Sequence, residues 1–112
     1  MRLEMKVERN TLLVRPVGEL DLGMAEDFRN TLDAVLDREA VKNLIFDLSR
    51  VTFIDSSGLG VMLGRYKRIA RANGRVAVIG PQPQVRRILE LSGLFQIMNE
   101  FRNEEEAFAK IS

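Results

Sequence analysis

The sequence predicts an α/β domain, a mixed and mostly parallel β-sheet with an N-terminal β-hairpin, packed by about four α-helices. Three observations carry that prediction. Residues 2–8 alternate, with Leu3, Met5 and Val7 on one face and Arg2, Glu4, Lys6 and Glu8 on the other, as in a half-buried strand. Two denser apolar runs, NLIFDL at 43–48 and RVAVIG at 75–80, fit strands covered on both faces. Helical patterns separate and follow these runs, and strands alternating with helices close into parallel sheets through crossover connections.

Taken in order, the 2–8 strand turns at Asn10 into a partner strand at 11–17. Pro16 cannot donate a ladder hydrogen bond and is expected at an edge or near a bulge. After GELDLG, Ala25, Phe28, Leu32, Val35 and Leu36 follow helical spacing. The 43–48 strand comes next, then the strongest helix, in which Leu59, Met62, Leu63, Tyr66, Ile69 and Ala70 share a face up to Asn73-Gly74. Val61 falls off that face and is expected to be open to a partner. Beyond the 75–80 strand, Pro83 suits the first turn of a helix over about 83–92 that Gly93 ends. A short strand near 96–101 follows, and Asn103, with Glu106 after it, caps a last helix carrying Phe108 and Ile111. This order has one strand between the first and second helices. Leu44, Phe46, Leu63, Val76 and Val78 are expected in the interior.

A chain of 112 residues fits one domain, 1–112, able to bury a real core. Its 17 basic and 16 acidic residues nearly cancel, which gives no case for nucleic acid or a membrane surface as partner. No apolar run is long enough to span a bilayer. The opening MRLEMKVERN alternates instead of forming a signal peptide's apolar stretch, so a cytoplasmic location is expected. There is no cysteine and no histidine. Ser-His-Asp and Cys-His catalysis, and thiolate or imidazole metal sites, are thereby removed from any mechanism of this chain alone.

The stretch FIDSSGLG at 53–60 stands where strand gives way to the strongest helix. Aspartate and serine are good N-caps, because a side-chain oxygen accepts from the free N–H groups of the first turn. Those N–H groups and the helix dipole also favour an anion, so a phosphate on a serine here is expected to be accommodated. Capping needs one hydroxyl, and here there are two. Gly58, Gly60 and Gly64 each cost the helix about 1 kcal/mol relative to alanine, for which either tight packing on the sheet or approach by another surface is a reason.

Three stretches in order, GELD at 18–21, FIDSSGLGVMLGRYK at 53–67 and LSGLF at 91–95, resemble the STAS-domain anti-sigma factor antagonists, and the resemblance runs essentially end to end. It implies a single STAS domain in which Ser56, directly after the motif Asp55, is phosphorylated by an anti-sigma factor serine kinase. Ser57 matches the second hydroxyl, and Asp21 matches a loop residue used near the kinase contact. The implied partner surface is Asp21, Leu22, Asp55, Ser56, Ser57, Gly58, Leu59, Gly60, Val61 and Gly64. The chain departs from close relatives at DLG, 21–23, where they often carry a histidine pair after the aspartate, a departure that bears on partner choice. The resemblance further implies no enzyme activity and no cofactor of the chain's own, with ATP and Mg²⁺ bound by the kinase. A serine phosphatase would reset the switch, and the free domain is expected to be a monomer.

Two other functions compete. A flavodoxin-like domain could hold a nucleotide phosphate at Ser56-Ser57-Gly58, although the glycine spacing fits neither G-x-G-x-x-G nor the Walker A pattern. A phosphoaspartyl receiver built on Asp47 lacks an acidic pair for Mg²⁺, so Asp47 reads as a strand-end or turn carboxylate. A STAS module of another signalling assembly or a transporter is the second competitor. Arg65, Lys67, Arg68, Arg71 and Arg75 read as the solvated face of the long helix.

Overall fold

Arg9 and Asn10 both take left-handed backbone conformations, φ 52° and 58°, and close β1 (Arg2–Glu8) onto β2 (Thr11–Leu20) through a tight antiparallel turn. Positive φ at both central residues gives the turn the twist that flanking strands need. The computed structural model describes residues 2–111. After the hairpin come α1 (Leu22–Arg38), β3 (Asn43–Asp47), β4 (Val51–Ile54), α2 (Ser56–Arg71), β5 (Val76–Ile79), α3 (Pro83–Leu91), a 3₁₀ turn at Leu94–Gln96, β6 (Asn99–Phe101) and α4 (Glu104–Lys110).

The sheet runs β1-β2-β3-β5-β6, antiparallel at the hairpin and parallel elsewhere, and β4 adds to β2 beyond the end of β3. Here the structure corrects the expected order, which had one strand between α1 and α2. There are two, because the chain breaks at Leu48–Arg50. The Val51 N–H turns back to the Leu48 carbonyl at 3.0 Å, and the Asp47 carboxylate accepts from the Ser49 N–H and hydroxyl at 3.0 and 2.7 Å. β4 escaped the sequence pattern because only its two ends are buried, with Thr52 and Phe53 exposed between them. Its presence also lengthens β2 past residue 17 to Leu20. Pro16 is not on an edge strand: it faces Leu3 of β1 and lies two residues before the register shift at Gly18/Glu19, near a bulge as expected. It falls between the stretch of β2 that pairs β3 (11–14) and the stretch that pairs β4 (18–20), where no ladder hydrogen bond is lost.

One sheet face carries Leu12, Val14, Leu44, Phe46, Val76 and Val78 under α1, α2 and α3, whose Phe28, Leu32, Met62, Ile69, Val85 and Leu89 complete the main core. On the other face, Leu13, Ile45, Ala77 and Ile79 meet Ala107, Phe108 and Ile111 at α4. Leu63, expected inside, is only partly buried at the margin of the main core. The helix ends follow the expected chemistry. Asn73 (φ 63°) and Gly93 (φ 82°) take left-handed conformations after α2 and α3, and Asn103 accepts from the Glu106 N–H at 2.8 Å.

Asp47 is the turn carboxylate the sequence suggested, and it is buried. Burial pushes its carboxyl up, but hydrogen bonds from the Ser49 hydroxyl and N–H and from the Arg15 guanidinium outweigh this and hold it below the ordinary carboxylate value. As pH falls, the unfolded chain therefore takes up this proton first. The stabilisation is present in full above about pH 4 and disappears as pH drops through the lowered value. In thermal unfolding scans from pH 7 to pH 3, Asp47→Asn should be less stable at neutral pH, and its gap to the parent chain should narrow below about pH 4.

Candidate functional site

Where β4 ends, Asp55 stays extended (φ −115°, ψ −174°) and caps α2. Its Oδ1 accepts from the Ser57 and Gly58 N–H groups at 2.8 and 3.1 Å. Oδ2 accepts from the Leu22 N–H at 3.0 Å. One carboxylate thus ties the start of α1 to the start of α2, while the Asp55 N–H reaches the Leu20 carbonyl at 3.3 Å. Ser56, the first residue of α2, is exposed, and Ser57 is half-buried beside it. This geometry corrects one expectation. The first-turn N–H groups of Ser57 and Gly58 are not free for a phosphate, because Asp55 already holds them.

The three glycines of α2 separate by cause. Gly58 is buried where α2 crosses β2, and a Cβ there would stand 2.3 Å from the Leu20 carbonyl oxygen and 3.0 Å from Ile54 Cγ1. Its reason is tight packing. Around Gly60 and Gly64 a Cβ would meet nothing within 4 Å. No internal contact explains them, and the helix carries their propensity cost toward open space. Gly60→Ala should therefore raise stability by about 0.8–1 kcal/mol in denaturant unfolding.

The structure brings Asp21, Leu22, Asp55, Ser56 and Ser57 together at one end of the sheet, and Gly60 faces outward one turn along. Leu22 is 75% exposed, unusual for a leucine opening a helix. Leu59 is partly buried against the core. Val61 is a correction: expected to be open, it is 6% exposed and belongs to the main core. The helical wheel drawn from the sheet side alone left it out, because α2 also buries a second flank against α1. Of the basic residues, Arg65 alone departs from the expected solvated face, for the same reason, while Lys67, Arg68, Arg71 and Arg75 are exposed as expected. Arg65 lies with its side chain 13% exposed and its Nε 3.1 Å from Asp33 Oδ1 of α1, and Arg68 binds Asp37 at 2.7 Å.

Two features escaped the sequence reading. Phe53, inside the motif stretch, is 46% exposed on β4 and adds apolar surface. A groove of about 330 Å³ between α1 and α2 is lined by Leu22, Ala25, Arg29, Ser57, Gly60 and Arg65, with Val61 also contributing to its wall. Arg65 Nη1 is buried without a hydrogen-bond acceptor, while its Nε pairs with Asp33 Oδ1 at 3.1 Å by charge without hydrogen-bond alignment. Only the α1–α2 contact, which no motif encodes, could have signalled this groove.

The sequence pattern of the STAS domain matches residues 2–107. The chain belongs to the STAS domain family. Within it, the relatives are regulators. The anti-sigma F factor antagonist of Paenibacillus polymyxa is 40% identical over 111 residues, covering 99% of this chain and 95% of its own length. That of Lysinibacillus sphaericus is 34% identical, covering 98% and 92%. Among solved structures, the anti-sigma factor antagonist SpoIIAA in its unphosphorylated form superposes with a TM-score of 0.86 at 33% identity, covering 98% of this chain and 96% of that one. This STAS domain is an anti-sigma factor antagonist of the SpoIIAA type. Among its described residues, no helix is long and apolar enough to cross a membrane.

Proposed function

We propose that the unphosphorylated chain docks onto an anti-sigma factor serine kinase through Asp21, Leu22, the Ser56 loop and the first turns of α2, and so frees the sigma factor that kinase holds. The kinase then ends the contact by phosphorylating Ser56. The γ-phosphoryl of its ATP passes to the Ser56 Oγ, ADP leaves, and the hydroxyl proton goes to a base of the kinase, which also supplies Mg²⁺. A serine phosphatase resets the switch. The chain works in the cytoplasm as a substrate and a switch, contributing a positioned hydroxyl and no catalysis.

The observation that carries this function is the position of Ser56, an exposed hydroxyl on the first residue of α2, next to the carboxylate that anchors both helix starts. Relatives named anti-sigma F factor antagonists, and a SpoIIAA structure described in a phosphorylated form at 32% identity, support it. The electrostatics supply the off-switch. A phosphate adds about −1.5 to −2 charge beside Asp55, and the Ser57 and Gly58 N–H groups that could help neutralise it are already taken. The same occupancy weighs against nucleotide binding at this loop, because a phosphate there would have to displace Asp55.

The test is site mapping by mass spectrometry after mixing the chain with its kinase and ATP, alongside sigma-factor displacement by the unmodified chain. One phosphate on Ser56 and displacement before modification are expected. A phosphate on Ser57 would move the site while leaving the switch, whereas labelling by ATP without kinase would favour an enzyme.

A further inference from the structure

The N-terminal strand β1 forms one edge of the sheet and, among the described residues, pairs only with β2. Glu8 and Thr11 face each other across the tight turn, so they form the hydrogen-bonded pair that closes the hairpin. Alternation then assigns the backbone groups of residues 2, 4, 6 and 8 to β2 and leaves those of Leu3, Met5 and Val7 pointing away from the sheet. Of the devices that usually block such a row, the edge carries charged side chains, a lysine among them, but neither a proline nor a bulge. Its register with β2 is unbroken over seven residues.

The side chains on this edge are self-complementary. Arg2, Glu4, Lys6 and Glu8 alternate in sign on one face. In an antiparallel pair of two copies centred on Met5, Arg2 meets Glu8 and Glu4 meets Lys6, so every charged pair is opposite in sign. Sliding by one step of the ladder, to a centre on Glu4 or on Lys6, places like charges opposite each other. The same Met5-centred register makes 3, 5 and 7 the hydrogen-bonded positions, which are those with free backbone groups. It also sets Leu3 against Val7, covering a valine now 44% exposed. The existing Arg2–Glu4 and Lys6–Glu8 contacts, 3.3 and 3.4 Å, are solvent-exposed and easily exchanged. Arg15, 3.2 Å from Glu4, and Glu104, bridged to Lys6, meanwhile hold the two central side chains on this face.

We propose that β1 is a self-association edge through which two copies of this chain pair antiparallel about Met5 and continue one sheet across the dimer. This departs from the expected free monomer. It is independent of the switch, because no residue of β1 belongs to the Ser56 site. With one strand pair as its centre, the dimer is a weak one.

The test is sedimentation equilibrium from about 10 μM to 1 mM, a range that spans weak association. The parent chain should show a monomer–dimer equilibrium. Glu4→Lys and Lys6→Glu should each weaken it at least about tenfold, because each sets like charges together twice across the two-fold axis. An equimolar mixture of those two variants should associate again, as a heterodimer in which the charges are complementary once more. In the unmodified chain, amide exchange at Leu3, Met5 and Val7 should slow as concentration rises, with β2 amides unchanged. A parent chain that stays monomeric through 1 mM, exchange independent of concentration, or a mixture no more associated than its components would overturn the proposal.

Discussion

Ser56→Ala is expected to accept no phosphate from the kinase while binding it within about 0.5 kcal/mol of the parent chain, leaving sigma release permanently on. The reason lies in what Ser56 does not do. Asp55, not Ser56, caps α2 and ties down Leu22, and no hydrogen bond from the Ser56 hydroxyl holds the fold. Removing the hydroxyl therefore removes the acceptor atom and little else. Ser56→Asp should fall between the parent and the phosphorylated chain, since a carboxylate brings less charge than a phosphate. Phosphate incorporation and sigma displacement, followed with the same kinase preparation, check both variants. Residual incorporation into Ser56→Ala would point to Ser57 as an acceptor.

Gly58→Ala should be the most damaging of the glycine substitutions in α2. The new Cβ would sit 2.3 Å from the Leu20 carbonyl oxygen, and that atom belongs to backbone that cannot rotate away. Either α2 moves off β2 or β2 yields near Leu20, whose carbonyl also accepts from the Asp55 N–H. Overpacking of this kind costs about 1–3 kcal/mol. For a domain near this size the melting temperature should fall by roughly 4–8 °C per kcal/mol. Because the clash lies under the first turn of α2, kinase binding should weaken along with stability, whereas Gly60→Ala should gain stability. Calorimetric melting with a binding titration on the same samples separates the two effects. An unchanged melting temperature would mean that α2 does not pack on β2 as closely as the structure has it.

The sequence carried the fold wherever an element's burial could be read from its own residues. The alternation of β1, the buried runs of β3 and β5, and the caps at Asn73, Gly93 and Asn103 are all local signals, and the structure places them as expected. The misses share a cause in tertiary contact. β4 is too short and too exposed in its middle to alternate, and it exists because β2 continues past Pro16 to receive it. Val61 and Arg65 looked outward on a helix drawn with one partner, yet α1 lies along that flank. At the site, the pattern located Asp55 and Ser56 but not the bond from the Leu22 N–H to Asp55, which joins residues far apart in the chain. That bond explains why two separate motif stretches, GELD and FIDSSGLG, form one surface.

The account depends on charge at Ser56 deciding whether the kinase can sit on this surface. Like charges brought together at an interface cost several kcal/mol, and about 5.5 kcal/mol turns a complex from 99:1 bound to 1:99. The most direct measurement is calorimetric titration of the kinase in its ADP state with the unmodified chain and with the chain quantitatively phosphorylated on Ser56. A loss of at least about a hundredfold in affinity, close to 2.7 kcal/mol, is predicted for the phosphorylated chain. Equal affinities of the two forms would contradict the account.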